Sequence, residues 1–550
     1  MIKRKSCGLS GGGVAHRYLL RGLLLCASMI TFTAAARNIY ITPDADGTGD
    51  GLSWESPMML TNYLKNAIKH GDVVRLKSGH YTAKISAVTF GNYQTVKISG
   101  GYAGIDNDTL DADYPYSDID FANYPTSGSL FAFACKATSG HSLTIERLQL
   151  RGARSSAIYK ANAGALHLSD CHVISNGWRN YSSSSRVGGR GISAKGGAIT
   201  LSKCKIAYNG MYFGSGDAGT YSDDGYGLYL SGITATLEDC KFIGNGAKIT
   251  DEDPIASVRD AGKGMAIFAN NAKVTAEKCD FICNRAALGQ YNGNSTGGKG
   301  GIVVMSGTSS GTFENCSWIA NQNLRDTSKN GDTSYGGVLT LDMASSENVV
   351  TVDKCTFAYN ITDSSNAAAG IDVRNGTLNL RNSVFTGNKA RADNALGVDL
   401  VVRTNGVANV EYCLFSSTGD ANITVEEINE DKGVLSMSGI VEADAELATD
   451  VETAHSCIKT RTGKPYLVYD PASLDKVLAF DVHLRSRRGR WTGDGYVRDR
   501  KGSPAIDAGL ADADVGDEPR PNGSRLNLGR YAGTEEASLS GDVGFRVYVR

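Results

Sequence analysis

The residues best suited to chemistry sit in stretches rich in Gly, Ser, Asp and Asn. Asp217, Asp223 and Asp224 form one carboxylate group, and Asp251, Glu252 and Asp253 form another. A hard cation such as Ca²⁺ takes about six to eight oxygen ligands, so such clusters are where it would bind. Asp217, Asp223 and Asp224 are the leading set. Arg186, Arg190 and Arg259 lie in the same stretches and suit a base or clamp for a sugar carboxylate. Trp178, Tyr181, Tyr212, Tyr221, Tyr291 and Tyr335 offer flat aromatic faces among hydrogen-bonding neighbours, which suits a carbohydrate surface. Asp372 and Asp399 each follow a glycine and an apolar residue. Glycoside hydrolysis needs two carboxylates about 5–5.5 or 6.5–9.5 Å apart. This pair reads more readily as an exposed ladder on neighbouring turns. Asp44, Asp46 and Asp50 lack the closing Glu of an EF-hand loop and read as a turn.

A recurring phrase must position these residues. Cys-x-apolar-x-x-Asn appears at Cys171-Val173-Asn176, Cys204-Ile206-Asn209, Cys240-Phe242-Asn245, Cys279-Phe281-Asn284, Cys316-Trp318-Asn321 and Cys355-Phe357-Asn360. Ser383-Phe385-Asn388 and Cys413-Phe415-Thr418 are variants, and a degenerate copy centres on Leu148 and Leu150. Apolar residues also stand five and three places before the cysteine, as at Leu166 and Leu168 or Val350 and Val352. Residues two apart share one face of a strand. Positions −3 and 0 differ by an odd number, so the chain must bend between them. The two intervening residues are polar, as in Ser169-Asp170 and Glu238-Asp239.

Two short strands joined by a tight bend, repeated at spacings of 23 to 39 residues, predict a solenoid. Helical repeats need longer 3.6-periodic segments with few glycines. The fold class is therefore all-β, a single-stranded right-handed parallel β-helix with an N-terminal cap and a C-terminal closing module. Cysteines and the following apolar residues should form interior columns, with cysteine a small filler. Each Asn should sit at a turn, where it can bond backbone and tolerate a left-handed conformation.

The expected organisation follows. Residues 1–36 read as a cleaved signal peptide, with Lys3, Arg4, Lys5, Arg17 and Arg21 before an apolar run ending Ala34-Ala35-Ala36. Residues 37–104 form the cap and first strands, including a short helix within 57–69. Residues 105–419 hold the repeats, 420–456 an acidic final turn or connection, 457–540 the C-terminal module, and 541–550 a tail. No later run of about 18 apolar residues predicts a membrane span. Charge is balanced, 56 Lys+Arg against 58 Asp+Glu, which argues against nucleic acid. The Gly-Gly pairs at 196, 300 and 336 lack the following helix of a phosphate cradle and read as turns.

The opening Ile39-Tyr40-Ile41-Thr42-Pro43-Asp44-Ala45-Asp46-Gly47-Thr48-Gly49-Asp50-Gly51-Leu52-Ser53-Trp54 resembles the start of bacterial β-helix repeat proteins of the pectin-lyase-like superfamily. His483-Leu484-Arg485-Ser486, Ser503-Pro504-Ala505-Ile506-Asp507-Ala508-Gly509 and the stretch from Asn522 to Thr534 resemble the segment that follows such coils. The resemblance implies architecture but assigns no chemistry, because that superfamily spans lyases, hydrolases, epimerases and adhesins. The expected function is an exported or surface β-helix presenting a loop-rich face to carbohydrate or another surface polymer, with a monomer expected. The alternative is a polysaccharide lyase, or less readily a glycoside hydrolase, acting on an acidic polysaccharide.

Overall fold

The computed structural model describes residues 36–82, 88–105, 109–121, 131–153, 155–177, 190–210, 224–246, 263–288, 300–325, 336–362, 367–390, 397–428, 431–460, 467–469 and 471–541. Its core is a right-handed parallel β-helix. One turn runs Ser156–Lys160, Ala165–Ser169 and His172–Ile174. The first two strands stack with their copies into a 22-stranded first wall, and the third joins a 12-stranded second wall. A 4-stranded third wall appears late, at Arg285–Leu288, Gln322–Arg325, Ile361–Thr362 and Lys389–Ala390.

The register follows the sequence phrase. Val173 pairs with Ile206, Ile206 with Phe242, Phe242 with Phe281, Phe281 with Trp318 and Trp318 with Phe357. From Phe242 upward this column is a run of stacked rings. Phe242, Phe281, Trp318, Phe357, Phe385 and Phe415 follow one another at centroid distances of 5.1, 4.9, 4.4, 4.6 and 4.7 Å. Those distances follow the rung spacing of a sheet, about 4.8 Å. The seven cysteines of the phrase are buried and free. Their thiols point at the carbonyl two residues back, as Cys316 Sγ does to Glu314 at 3.3 Å. Ser383 donates to Arg381 at 2.7 Å in the same way, which explains why serine can replace cysteine there.

The bend between walls is a single left-handed residue, the second of each polar pair. Examples are Asp170 (φ 51°), Lys203 (53°), Asn315 (50°) and Asn382 (49°). The asparagines of the phrase do not themselves take this conformation. The residue before each does, at Ser175, Tyr208, Gly244, Cys283, Ala320, Tyr359 and Gly387. The asparagines are instead pulled inside, and Asn209, Asn245, Asn284, Asn321 and Asn360 are fully buried. Each Oδ1 accepts both the backbone N–H and the side-chain N–H of the asparagine one turn earlier. Asn284, for example, donates to Asn321 Oδ1 from N and from Nδ2, both at 3.0 Å. The same Nδ2 donates to the Phe242 carbonyl at 2.8 Å. The ladder thus satisfies corner groups that would otherwise be buried and unpaired.

At the opening end, Asn38–Ile41 pairs with Val73–Lys77. The expected short helix is confined to Leu60–Ala67 and widens into a π turn from Tyr63. At the other end, Ile423–Val425, Val434–Ser438 and Val441–Glu442 make the last turn. The chain from Ala443 then runs back along the side of the coil. It packs Leu447, Ala454, Val477, Val482, Leu484 and Leu528 against Ile319, Ala358, Tyr359, Ile361, Val384 and Leu414. Asn315 Nδ2 donates to the carbonyls of Arg530 and Ala532, both at 2.8 Å, and Arg530 Nε bonds Asp280 at 3.0 Å. The closing module therefore covers the outer side of the upper second wall.

Candidate functional site

The first outward position of the second wall is the residue directly after the cysteine. Its column reads His80, Asp118, Gln149, His172, Lys205, Lys241, Asp280, Ser317, Thr356, Val384, Leu414 and Val441. The upper, small and apolar members lie under the C-terminal module. The lower members, from His80 to Lys241, are charged, amide or aromatic, and most of them keep accessible surface, which makes them a candidate site.

At its foot Asp118 is the hub. It accepts from Arg151 Nε at 3.0 and 3.1 Å, from Gln149 Nε2 at 3.1 Å, and meets His80 Nδ1 at 2.9 Å. Burial disfavours its charge, but the hydrogen bonds from Arg151, His80 and Gln149 outweigh this and hold the carboxyl below the usual carboxylate range. Arg151 also bridges to Asp120 at 2.9 Å. Its hydrogen bond to Asp118 raises its pKa further, so this guanidinium holds its proton and is no base. The His80 side chain is 51% exposed, so its imidazole is presented to solvent by a nearly buried carboxylate.

Two rungs above Asp118 on the column, His172 is stacked by the Tyr116 ring, with centroids 4.3 Å apart. The Tyr116 hydroxyl donates to Asp170 at 2.7 Å, which fixes the ring. Burial first, and the Lys205 charge second, lower the His172 pKa, so this imidazole is neutral at pH 7. Lys205 and Lys241 stand next in register on the same column, half-buried and exposed respectively. The face therefore joins an ionised Asp118 carboxylate bonded to His80, a stacked aromatic platform and two lysines.

Most of the residues expected from sequence lie outside the described residues. These are Trp178, Tyr181, Tyr212, Tyr221, Tyr291, Tyr335, Asp217, Asp223, Arg186, Arg259, Asp251, Glu252 and Asp253. Asp224 and Arg190 are brought together. The Asp224 carboxyl accepts the Lys263 backbone N–H at 2.7 Å, and Arg190 Nε donates to the Asp224 carbonyl at 2.6 Å. The Arg190 guanidinium also lies over the Tyr229 ring at 4.2 Å. Among the described residues no group of three or more His, Cys, Asp or Glu is arranged to hold a metal.

Asp372 and Asp399 are neither exposed nor stacked on each other. Asp372 lies in register with Val401, and both carboxylates are buried. Asp372 is clamped by Arg403 at 3.0 and 3.2 Å and accepts the Gly336 N–H at 3.0 Å. Arg403 also reaches Glu426 at 3.2 Å. Asp399 accepts from Asn388 Nδ2 at 2.9 Å and so ends the asparagine ladder, because the next phrase carries Thr418. A buried ion-pair network and a ladder terminus replace the expected surface pair. The second-wall cluster went unnoticed in sequence because its members are scattered singly from residue 80 to residue 241. The signal that marks its upper part was the residue following each cysteine.

No family model matches the sequence, and no curated protein does. Among solved structures the chain is similar to a pectate lyase, Pel9A, at 14% identity, 90% of this chain, 96% of that chain and a TM-score of 0.37. It is similar to DFA-IIIase from Arthrobacter chlorophenolicus, at 11% identity, 67% and 77% coverage and a TM-score of 0.29. An alginate lyase from a Paenibacillus strain gives 12% identity, 74% and 99% coverage and a TM-score of 0.26.

Proposed function

We propose that the protein is exported or displayed at the cell surface and engages an acidic polysaccharide along the open lower part of its second wall. One observation carries this. A column that becomes small and then apolar where the C-terminal module docks is polar, charged or aromatic at every rung where it does not. The Tyr116–His172 stack offers a ring face to a sugar. Gln149, Asp118 and Asp170 offer hydrogen-bonding groups to hydroxyls. Lys205 and Lys241 make no ion pair among the described residues and stand one rung apart, about 4.8 Å by sheet geometry. Cations in such a row suit carboxylates repeating along a glycan.

Cleavage of that glycan, by a lyase or a glycoside hydrolase, is the second reading. The His80–Asp118 pair favours it, since an imidazole held by an ionised carboxylate is a general-base arrangement. A pectate lyase and an alginate lyase stand among the similar solved structures. The loop aromatics and Asp217, Asp223 and Asp224, with Ca²⁺, remain part of this proposal as a second contact region.

Affinity electrophoresis of the full chain in gels containing polygalacturonate, alginate or a neutral glucan tests the reading. Retardation by an acidic gel, lost in the double variant Lys205→Glu, Lys241→Glu and unchanged in a neutral gel, is expected. Equal mobility in every gel overturns it. Appearance of reducing or unsaturated ends that is lost in His80→Ala would establish cleavage.

A further inference from the structure

The third wall carries a guanidinium that has no counter-charge among the described residues. Arg285 stands in an outward column with Gln322, Ile361 and Lys389. Its neighbour Ala286 points into the coil core, and Ile361 packs in the core shared with the C-terminal module. Arg285 Nε is buried and has no hydrogen-bond partner. Among the described residues no carboxylate pairs with this side chain. The ionisable group that most affects it is the Cys283 thiol, and burial pushes that thiol up to about 12, so it offers no negative charge at neutral pH. The residue as a whole is partly buried, and burial is what most disfavours its charge.

A guanidinium does not lose its proton in a protein, so Arg285 cannot escape its desolvation by neutralising. A charge taken out of water is costly unless it is paired. Three other recessed arginines show the usual solution, an acidic partner. Arg151 has Asp118, Arg403 has Asp372, and Arg530 has Asp280. The planar fork of donors matches the oxygens of a carboxylate, sulfate or phosphate. Gln322, one rung above on the same column and fully buried, adds an amide beside the fork.

We infer that Arg285 is the anchor of a recessed oxyanion site on the third wall, separate from the open face of the second wall. The ligand is a small oxyanion, either a free ion or the charged group of a substituted sugar. The site does not depend on the glycan reading of the second wall.

Thermal unfolding of the full chain at constant ionic strength tests it, with chloride replaced in turn by inorganic sulfate, inorganic phosphate and monomeric galacturonate. Wild type should melt several degrees higher in at least one of these than in chloride. Arg285→Gln should lose that rise, and Arg285→Lys should keep part of it. Arg285→Met, which fills the space without charge, should melt higher than wild type in chloride and gain nothing from the oxyanion. A rise confined to the inorganic ions assigns the site to a free ion. A rise with galacturonate assigns it to a sugar substituent. An equal rise in wild type and Arg285→Met, or no rise with any probe, overturns the inference.

Discussion

Asp399 illustrates how a single side chain can be placed by packing rather than by chemistry. Its oxygen occupies the place that the Oδ1 of a ladder asparagine fills in every earlier turn, as the terminal acceptor for Asn388. Burial pushes its pKa up to about 7. Glu518, in the C-terminal module, is pushed up to about 7 by burial as well, even though it accepts from the backbone of Asn527 and Gly533. An acid whose folded pKa is raised binds more protons in the folded state. The stability it contributes is full below the unfolded pKa, near 4, and is lost as pH rises through about 7. Asp399→Asn keeps the acceptor and removes the charge. It should therefore stabilise the chain by about 1–4 kcal/mol at pH 8 and by much less at pH 5. Urea denaturation at the two pH values checks this, and a gain that does not widen with pH contradicts it.

At the scale of the element, the phrase Cys-x-apolar-x-x-Asn is one corner of a coil, with a column of thiols, a column of rings and a column of amides. The columns are not equally tolerant. Cys316→Ser reproduces what Ser383 already does and should cost under about 1.5 kcal/mol, since its hydroxyl can take over the thiol's bond. Asn321→Ala removes the acceptor for Asn284 N and Nδ2 and the donor to the Phe281 carbonyl, all buried. It should cost about 2–4 kcal/mol, because buried groups left unpaired lose their full desolvation energy. Chemical denaturation of the pair compares them directly. The left-handed residue before each asparagine escaped a reading by side-chain type, because Ser175, Tyr208, Cys283, Ala320 and Tyr359 share no chemistry. Gly387 shows what that position demands when a ring lies beneath it. Its φ is 62°, and an added Cβ would stand 2.6 Å from the Tyr359 ring. Gly387→Ala should lower stability by about 1–3 kcal/mol, read as a lower denaturation midpoint.

For the molecule as a whole, the position of the C-terminal module is set by the outward column of the second wall. Lys241 gives way to Asp280, which pairs with Arg530, and then to Ser317, Thr356, Val384 and Leu414, which lie flat enough to be covered. Bend asparagines add the clamps, as Asn382 accepts the Leu510 N–H on its Oδ1 and the Gly529 N–H on its backbone carbonyl. Val384→Glu buries an unpaired charge in that seam. The module should loosen while the coil stays folded, so limited proteolysis should cut within 443–541 faster than in wild type and leave a resistant coil. Unchanged cleavage there would mean that the seam does not hold the module. The same loosening would uncover more of the second wall without touching the lower column, so retardation in an acidic glycan gel should persist.

Period and parity in the chain determined the solenoid. Residues two apart share a strand face, and an odd step between two inward positions forces a bend, so the stacked thiols and rings around Cys316 and Trp318 were fixed by local rules. The asparagine column was also legible, although its inward direction was not, because only the neighbouring turn supplies the amide that receives each N–H. Contacts between distant rungs decided the rest. His80, Asp118 and Arg151 meet, and Tyr116 meets His172, across turns whose separation in the chain depends on loop lengths, and no local pattern encodes that distance. Asp372 looked like a partner for Asp399 until register placed Val401 beside it and Arg403 over it. Long-range pairing, unlike alternation along a strand, is a property of the coil as wound.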